Sequence, residues 1–296
     1  MFKSGFISIV GKPNVGKSTL INKLMGEKIA IVSSKPQTTR TKITGVYTDE
    51  EAQLVFVDTP GMHNARNKLG EFMNREVKTA ASDVDVILYL IDITAKDKDT
   101  NTELIQSLPV GGATVFLVIN KIDLATKEEI LPVIAQLNEL YDFAEIIPVS
   151  AQKGTGVQEL INVIKKYVPE GPKYFPDDTL TDQPERIIAA EIIREKIFRL
   201  LNDEIPFGTA VDLEKMAYDE SRDITEISAV IYCEKASHKG MIIGKGGAML
   251  KRIGSEARRD IEKMLDGKVF LKMWVKVEDD WRNKNSAIKN LGYVED

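Results

Sequence analysis

The segment Gly11-Lys-Pro-Asn-Val-Gly-Lys-Ser18 follows the apolar run Phe6–Val10 and opens a helix-forming stretch at Lys17. No other feature constrains the fold as strongly, because G-x-x-x-x-G-K-[ST] between a strand and a helix is a phosphate cradle. Its glycines let backbone N–H groups close on phosphate oxygens, and the helix offers its positive end to the same anion. Gly11, Asn14, Val15, Gly16, Lys17, Ser18 and Thr19 are the expected phosphate-side residues. Lys17 would pair with the β- and γ-phosphates and the Ser18 hydroxyl would ligate Mg²⁺. Such a cradle needs a sheet to hold it. Up to about Val168, short apolar runs (FISIV, QLVFVD, VILYLID, TVFLVIN, EIIPVS) alternate with amphipathic ones such as LGEFMNREVKTAA and VQELINVIKKY. That rhythm predicts an α/β domain, a mostly parallel sheet with helices on both faces, with its ligand at the carboxyl ends of the strands.

Two further segments fall where the rest of a nucleotide site is required. Asp58-Thr-Pro-Gly61 closes the strand QLVFV, so Asp58 would face the metal and the Gly61 N–H the γ-phosphate. Between cradle and Asp58 lies a polar stretch, Ser33 to Lys42, in which Thr38 or Thr39 could complete the Mg²⁺ shell; Thr39 is the favoured residue. A segment ordered only while a γ-phosphate is present turns hydrolysis into a conformational signal. Asn120-Lys-Ile-Asp123 follows TVFLVI and Ser150-Ala-Gln-Lys153 follows EIIPV. An ionised Asp123 can accept from both N1–H and the 2-amino group of guanine. Adenine offers neither donor and would leave a desolvated carboxylate unpaired. Lys121 would lay its stem over the purine, Asn120 would tie the base loop to the phosphate loop, and the Ala151 N–H, presented by the Ser150 turn, would reach O6. The pattern selects GTP over ATP and argues against a metabolic P-loop kinase.

The chain has 296 residues, enough for two domains, and the rhythm changes after Val168. Prolines at 169, 172, 176 and 184 among acidic residues mark a linker or an ordered connecting loop. The expected division is residues 1–170, a linker over 171–184, and a second domain over 185–296 ending in a helix. That domain reads as helix, two strands, a Gly-rich turn, a helix from Ala248 and a last strand, VFLKMWVKVE, with Val269, Leu271, Met273, Val275 and Val277 on one face. An antiparallel sheet with one face covered by helices is the expectation, so the domain is α+β. Gly244-Lys-Gly-Gly247 lies between two helical segments, as in KH domains, which clamp about four nucleotides of single-stranded RNA at a G-x-x-G turn. Gly244, Lys245, Gly246 and Gly247 would meet the sugar-phosphate backbone, helped by Lys239, Lys251 and Arg252. Net charge is −5 for the whole chain, yet Lys235 to Lys276 holds eleven basic against four acidic residues. The local field suits RNA where the global one does not. Trp274, on the strand face opposite the aliphatic row, and Trp281 are candidates for stacking bases, but both are expected to pack under the terminal helix instead, and His238 is expected to lie on the surface.

In this order the motifs are those of translation-factor-class GTPases, and the chain resembles the Era GTPases in particular. The loop Gly11–Ser18, the Q-T-T-R segment at Gln37 to Arg40 and the C-terminal G-K-G-G carry the resemblance over nearly the whole length. It implies a P-loop GTPase domain followed by a type II KH domain. It further implies a bacterial enzyme that binds GTP, GDP and Mg²⁺ and hydrolyses GTP. The implied partners are the 3′ end of small-subunit rRNA and the small ribosomal subunit during its assembly, with no DNA partner and sometimes a peripheral contact with the inner face of the cell membrane. A cytoplasmic location agrees with one cysteine, Cys233, and with the lack of a secretory leader or of an apolar run of about 18 residues.

Where many small GTPases place a water-orienting glutamine after D-x-x-G, this chain has Met62, followed by His63. A thioether cannot orient the water, so slow intrinsic turnover is expected. Family analogy offers Asn14 as the holder of a K⁺ that would supply the missing positive charge; a turn-forming Asn is the other reading. The alternative for the whole chain is an RNA-binding scaffold with a catalytically weak GTPase domain.

Overall fold

The computed structural model describes the chain except residues 34, 36–37, 62–64, 66, 81–83, 96–104, 106–107, 109–111 and 294–296. Met62 and His63 are therefore outside the described residues. Two compact units emerge. The first comprises Met1–Ala30, Thr39–Asn64 and Met73–Asp182; the second comprises Ile31–Thr38, Ala65–Phe72 and Gln183–Asp296.

Unit one is built on a six-stranded sheet: β1 (Lys3–Val10), β2 (Ile43–Thr48), β3 (Ala52–Asp58), β4 (Val86–Asp92), β5 (Thr114–Asn120) and β6 (Glu145–Pro148), in the order β2-β3-β1-β4-β5-β6. Its helices are α1 (Lys17–Met25), α2 (Lys68–Ala80), which begins among the second unit's residues, α3 (Lys127–Asn138) and α4 (Val157–Tyr167). Strands β3, β1, β4, β5 and β6 are mutually parallel, and their buried residues fill two cores, one on each face. Continuous apolar runs such as Val86–Ile91 are what a strand covered on both faces requires.

Two elements escape the sequence rhythm. The edge strand β2 is antiparallel to β3 because the two form a tight hairpin, in which Asp49 Oδ1 accepts from the N–H groups of Glu51 and Ala52, both at 3.0 Å. Helix α3 carries Pro132 and buries only Val133 and Leu137, so its apolar period is faint. It starts at a capping box, with Glu129 Oε2 accepting from the Thr126 N–H at 2.8 Å. The proline-rich segment after Val168 is ordered against the sheet. The Gln53 side chain accepts from the N–H groups of Tyr174 and Phe175 and donates to the Phe175 carbonyl, and the Leu180 carbonyl accepts from Val46 N–H.

The second unit contains α5 (Glu185–Leu200), β7 (Thr209–Asp219), β8 (Ile224–Cys233), α6 (Ala236–Ile243), α7 (Ala248–Met264), β9 (Val269–Val277) and α8 (Asn285–Asn290). Its sheet has the order β7-β8-β9. The expected all-antiparallel arrangement is corrected here: β7 and β8 are antiparallel, but β9 runs parallel to β8. The connection from β8 to β9 contains two helices, which carry the chain back to the start of β8, as a parallel crossover must. Ile227, Ala229, Ile231, Val269 and Val275 pack with Ile253, Ala257 and Ile261 of α7 and Ile193 and Ile197 of α5. Within the same unit the stretch Ile31–Thr38 lies on α5: Glu195 Oε1 accepts from Val32 N–H, Lys35 Nζ donates to the Phe198 carbonyl at 2.6 Å, and Arg194 donates to the Thr38 carbonyl.

Candidate functional site

Parallel strands put the ends of β1, β3, β4, β5 and β6 on one edge, and the candidate nucleotide residues lie at or just beyond those ends, except Thr38 and Thr39, which precede β2. The loop after β1 takes backbone conformations that its residues are chosen for. Gly11 has φ 155° and a Cβ there would sit 2.4 Å from the Leu90 carbonyl oxygen; Gly16 has φ 105° and a Cβ would strike the Asn120 amide at 2.2 Å. Asn14 is left-handed at φ 67°, which asparagine tolerates better than most residues. Lys17 is buried, its ammonium donating to the carbonyls of Gly11 at 3.0 Å and Lys12 at 3.1 Å. Thr19 follows in the first turn of α1, whose N-terminus is Gly16.

Three oxygens meet beside the loop. Ser18 Oγ donates to Asp58 Oδ2 at 2.8 Å and lies 2.9 Å from Thr39 Oγ1, which is 3.5 Å from the same carboxylate oxygen. Thr38 is turned elsewhere, its hydroxyl donating to the Lys35 carbonyl at 2.7 Å. Asp58 is wholly buried, and burial pushes its pKa up to about 6 against the pull of Lys17, Ser18 and Thr39. Among the described residues its Oδ1 accepts no hydrogen bond. A buried carboxylate oxygen without a donor beside two hydroxyls fits a small hard cation. Since no three acidic, His or Cys side chains cluster among the described residues, such an ion would draw its remaining ligands from phosphate and water. Gly61 backs onto Pro13, and a Cβ there would lie 2.8 Å from Pro13 backbone atoms.

The two base-loop motifs also meet. Asn120 is buried; its amide N–H donates to the Val15 carbonyl at 2.8 Å and its Oδ1 accepts from the Ala151 N–H at 2.9 Å, so one side chain links three loops. Ser150 is buried at the head of a turn closed by Gly154 N–H to the Ser150 carbonyl at 2.7 Å. Asp123 is exposed, one turn beyond Lys121. Sequence reasoning passed over Asp92, at the end of β4, which accepts from Lys121 Nζ at 2.5 Å while Lys121 also donates to the Asn14 carbonyl at 3.1 Å. Burial works against the Asp92 charge, yet the hydrogen bonds from Lys121 and Thr94 outweigh it and hold the carboxyl below its usual range. The signal was the acidic end of VILYLID, in register with Asn120.

In the second unit, Gly244–Gly247 joins α6 to α7 through a short 3₁₀ turn. Gly244 (φ 73°), Gly246 (φ 59°) and Gly247 (φ 79°) all have left-handed φ values. A Cβ on Gly244 would lie 2.7 Å from that of Met249, whereas Gly246 and Gly247 face open space. The turn is therefore bare on its outer side. Lys245, Lys251 and Arg252 are exposed and Lys239 is half-buried. Beside the turn a cleft of about 500 Å³ runs between α7 and β9, lined by Lys251, Gly254, Arg258, Phe270 and Met273 among others. The β9 wall of this cleft was not foreseen. Two other expectations are corrected. His238 is buried on the first turn of α6, 3.8 Å from Glu204, and Trp274 is 46% exposed on the sheet rather than under the terminal helix. Trp281 alone is buried, donating to the Gly208 carbonyl at 2.9 Å and stacked on Tyr293.

Comparison with known proteins gives the family of each unit. Residues 6–121 match the family described as 50S ribosome-binding GTPase and residues 204–282 match the KH domain family. The chain is 53% identical to GTPase Era of Clostridioides difficile strain 630 over 294 residues, covering 99% of each chain. The chain belongs to the Era GTPases. GTPase Era of Alkaliphilus metalliredigens is 50% identical over 292 residues, again with 99% of each chain covered. Among solved structures, an Era variant of Aquifex aeolicus bound to GDP·AlF₄⁻ matches with TM-score 0.95 and 39% identity over 99% of this chain and 100% of that one. An Era in complex with MgGDPNP and nucleotides 1506–1542 of 16S rRNA matches equally well, over 100% of both chains. Membership makes this chain a GTP-hydrolysing enzyme with a P-loop GTPase fold and a C-terminal KH domain. Among the described residues no helix is long and apolar enough to cross a membrane.

Proposed function

We propose that this Era GTPase uses GTP and Mg²⁺ to time its hold on the single-stranded 3′ end of small-subunit rRNA during assembly of the small ribosomal subunit. The observation that carries the proposal is the meeting of Ser18, Thr39 and Asp58 at one end of a sheet whose other loop ends converge on Asn120. In the proposed assignment the Gly11–Ser18 loop and Lys17 hold the phosphates, Ser18 and Thr39 ligate Mg²⁺, Asp58 faces it, and Gly61 meets the γ-phosphate. Asp123 reads guanine, with Lys121, Asn120 and Ala151 in support. Bound Mg²⁺ supplies positive charge to the transferring phosphoryl group. The protein's part is to position the ion and the phosphates.

The chain passes between the two units at Thr38–Thr39: Thr39 stands with Ser18 while the Thr38 carbonyl is held by Arg194 of α5. A γ-phosphate that orders Thr39 thereby restrains a stretch which belongs with the RNA-binding unit, and this supports a switch over a passive scaffold. The RNA is held at Gly244–Gly247 by bare backbone, with Lys239, Lys245, Lys251 and Arg252 supplying charge. The domain division follows: residues 1–170 for nucleotide, 171–184 as the connection, 185–296 for RNA. The enzyme works in the cytoplasm, with a peripheral contact at the inner face of the cell membrane.

Crosslinking in cells, followed by RNA sequencing, tests the switch with a non-hydrolysable GTP analogue and with GDP. Enrichment of the small-subunit rRNA 3′ end mainly in the analogue-bound form is expected; diffuse or nucleotide-independent crosslinks would refute it. Asn14 is assigned a K⁺ that stabilises the charge-spread transition state in place of a glutamine. Turnover faster in K⁺ than in Na⁺, with the difference lost in Asn14→Ala, is the expected result, and equal rates would remove the cation.

A further inference from the structure

The helix-free face of the second unit's sheet carries a pattern that the cleft does not use. Along β9 the side chains on that face are Phe270, Lys272, Trp274 and Lys276, alternating aromatic and basic. Phe270 is 39% exposed and Trp274 46%, both large apolar side chains held in water on a regular strand. They stand four positions apart on the strand, about 13 Å, so each ring is its own platform. Val230, buried, is the residue paired with Trp274 on β8. Lys272 Nζ lies 5.0 Å and the Arg222 guanidinium 5.8 Å from the Phe270 ring centre.

The acids on this face are already matched by bases. Glu226 accepts from Lys215 at 2.7 Å and Arg222 at 3.0 Å, Glu214 accepts from Lys276 at 3.0 Å, and Asp212 lies 3.9 Å from Arg186. What remains is two exposed aromatic rings with Lys272 between them, which matches unstacked bases and a phosphate. Phe270 also lines the cleft beside Gly247 and Lys251, so the face continues that surface around the β9 edge.

We propose that the β9 face is a second RNA-binding surface, on which bases of single-stranded RNA leaving the G-x-x-G cleft stack on Phe270 and Trp274 while Lys272 contacts phosphate. The proposal rests on the reading of Gly244–Gly247 as the RNA clamp, and its test separates the two. Two single-stranded oligonucleotides from the 3′ end of small-subunit rRNA are compared on the full-length protein: one of about four nucleotides, filling the clamp alone, and one roughly three times longer. Trp274→Ala should weaken the longer RNA roughly 5- to 100-fold, the span expected for losing one stacked base, and leave the shorter one unchanged. Trp274→Phe should retain most of the affinity. The chain's other tryptophan, Trp281, is buried, so fluorescence quenching of the wild type by the longer RNA alone would report stacking on Trp274.

Unchanged affinity of Trp274→Ala for the longer RNA, or no quenching of the wild type by it, overturns the second surface. Equal weakening of both RNAs by Trp274→Ala, with an unaltered melting temperature, also overturns it. Loss of both RNAs in Lys245→Glu is the result that keeps the clamp; binding of both RNAs unaffected by that change overturns the clamp reading and this proposal with it.

Discussion

Asp58 is the residue whose chemistry is most sensitive to conditions. Its carboxyl is raised from 3.8 to about 6 because burial outweighs the positive charge of Lys17 and the hydroxyl donors. A raised carboxyl adds stability below its unfolded pKa and loses it as pH rises through the folded one. The metal-free protein should therefore lose this contribution between about pH 4 and pH 6, and Mg²⁺, which needs the ionised form, should restore it. The rise in melting temperature given by Mg²⁺ in the presence of GDP is expected to be large at about pH 7, to shrink at about pH 5, and to be pH-independent in Asp58→Asn. An equal Mg²⁺ effect at both pH values in the wild type would exclude Asp58 from the metal site. At the base loop, Asp123→Asn removes the acceptor of two hydrogen bonds to a charged group, each worth about 1.5–3 kcal/mol, so GTP affinity should fall by roughly 10²- to 10⁴-fold. A competition assay against GDP reads this directly, and a loss below threefold would mean that Asp123 does not read the base.

At the scale of elements, the connecting segment after α4 is held to the sheet by one side chain. Gln53 is fully buried and bonds to Tyr174, Phe175 and Thr48. Gln53→Leu leaves those backbone groups unsatisfied, at about 1–3 kcal/mol apiece if they stay buried. Denaturant unfolding followed in unit one should show a midpoint lowered accordingly, whereas a loss under about 0.5 kcal/mol would mean the segment simply detaches into water. In the second unit, the parallel return of β9 decides which of its side chains meet α7. The alternation of Val269 to Val277 was legible in sequence, but which neighbour the strand would take was not, because period-2 patterning fixes a face and not a partner. Val277, on the predicted inner row, is 42% exposed.

Across the whole molecule, an acidic chain carries one locally basic region. With net charge −5 overall and about +7 over Lys235 to Lys276, RNA binding should weaken with salt even though the protein as a whole repels a polyanion. For single strands each neutralised phosphate contributes about −0.7 to the slope of log K against log salt, so Lys251→Ala should flatten that slope by about 0.7. An unchanged slope would place Lys251 away from the phosphates.

Motif order in the sequence was enough for the α/β class, the phosphate loop, the guanine preference and the KH turn, because each depends on residues adjacent in the chain whose backbone demands are local. Gly11, Gly16 and Gly247 are legible in this way, since their φ values are set by the turn they make. Tertiary structure put Thr39, the threonine favoured from sequence, beside Ser18, and it alone decided that Asp92 anchors Lys121, that His238 is buried and that Trp274 is exposed. These follow from which strands become neighbours and which face the helices cover. Such pairings are set by crossovers and by packing between residues distant in sequence, and no periodicity within a single segment carries that information.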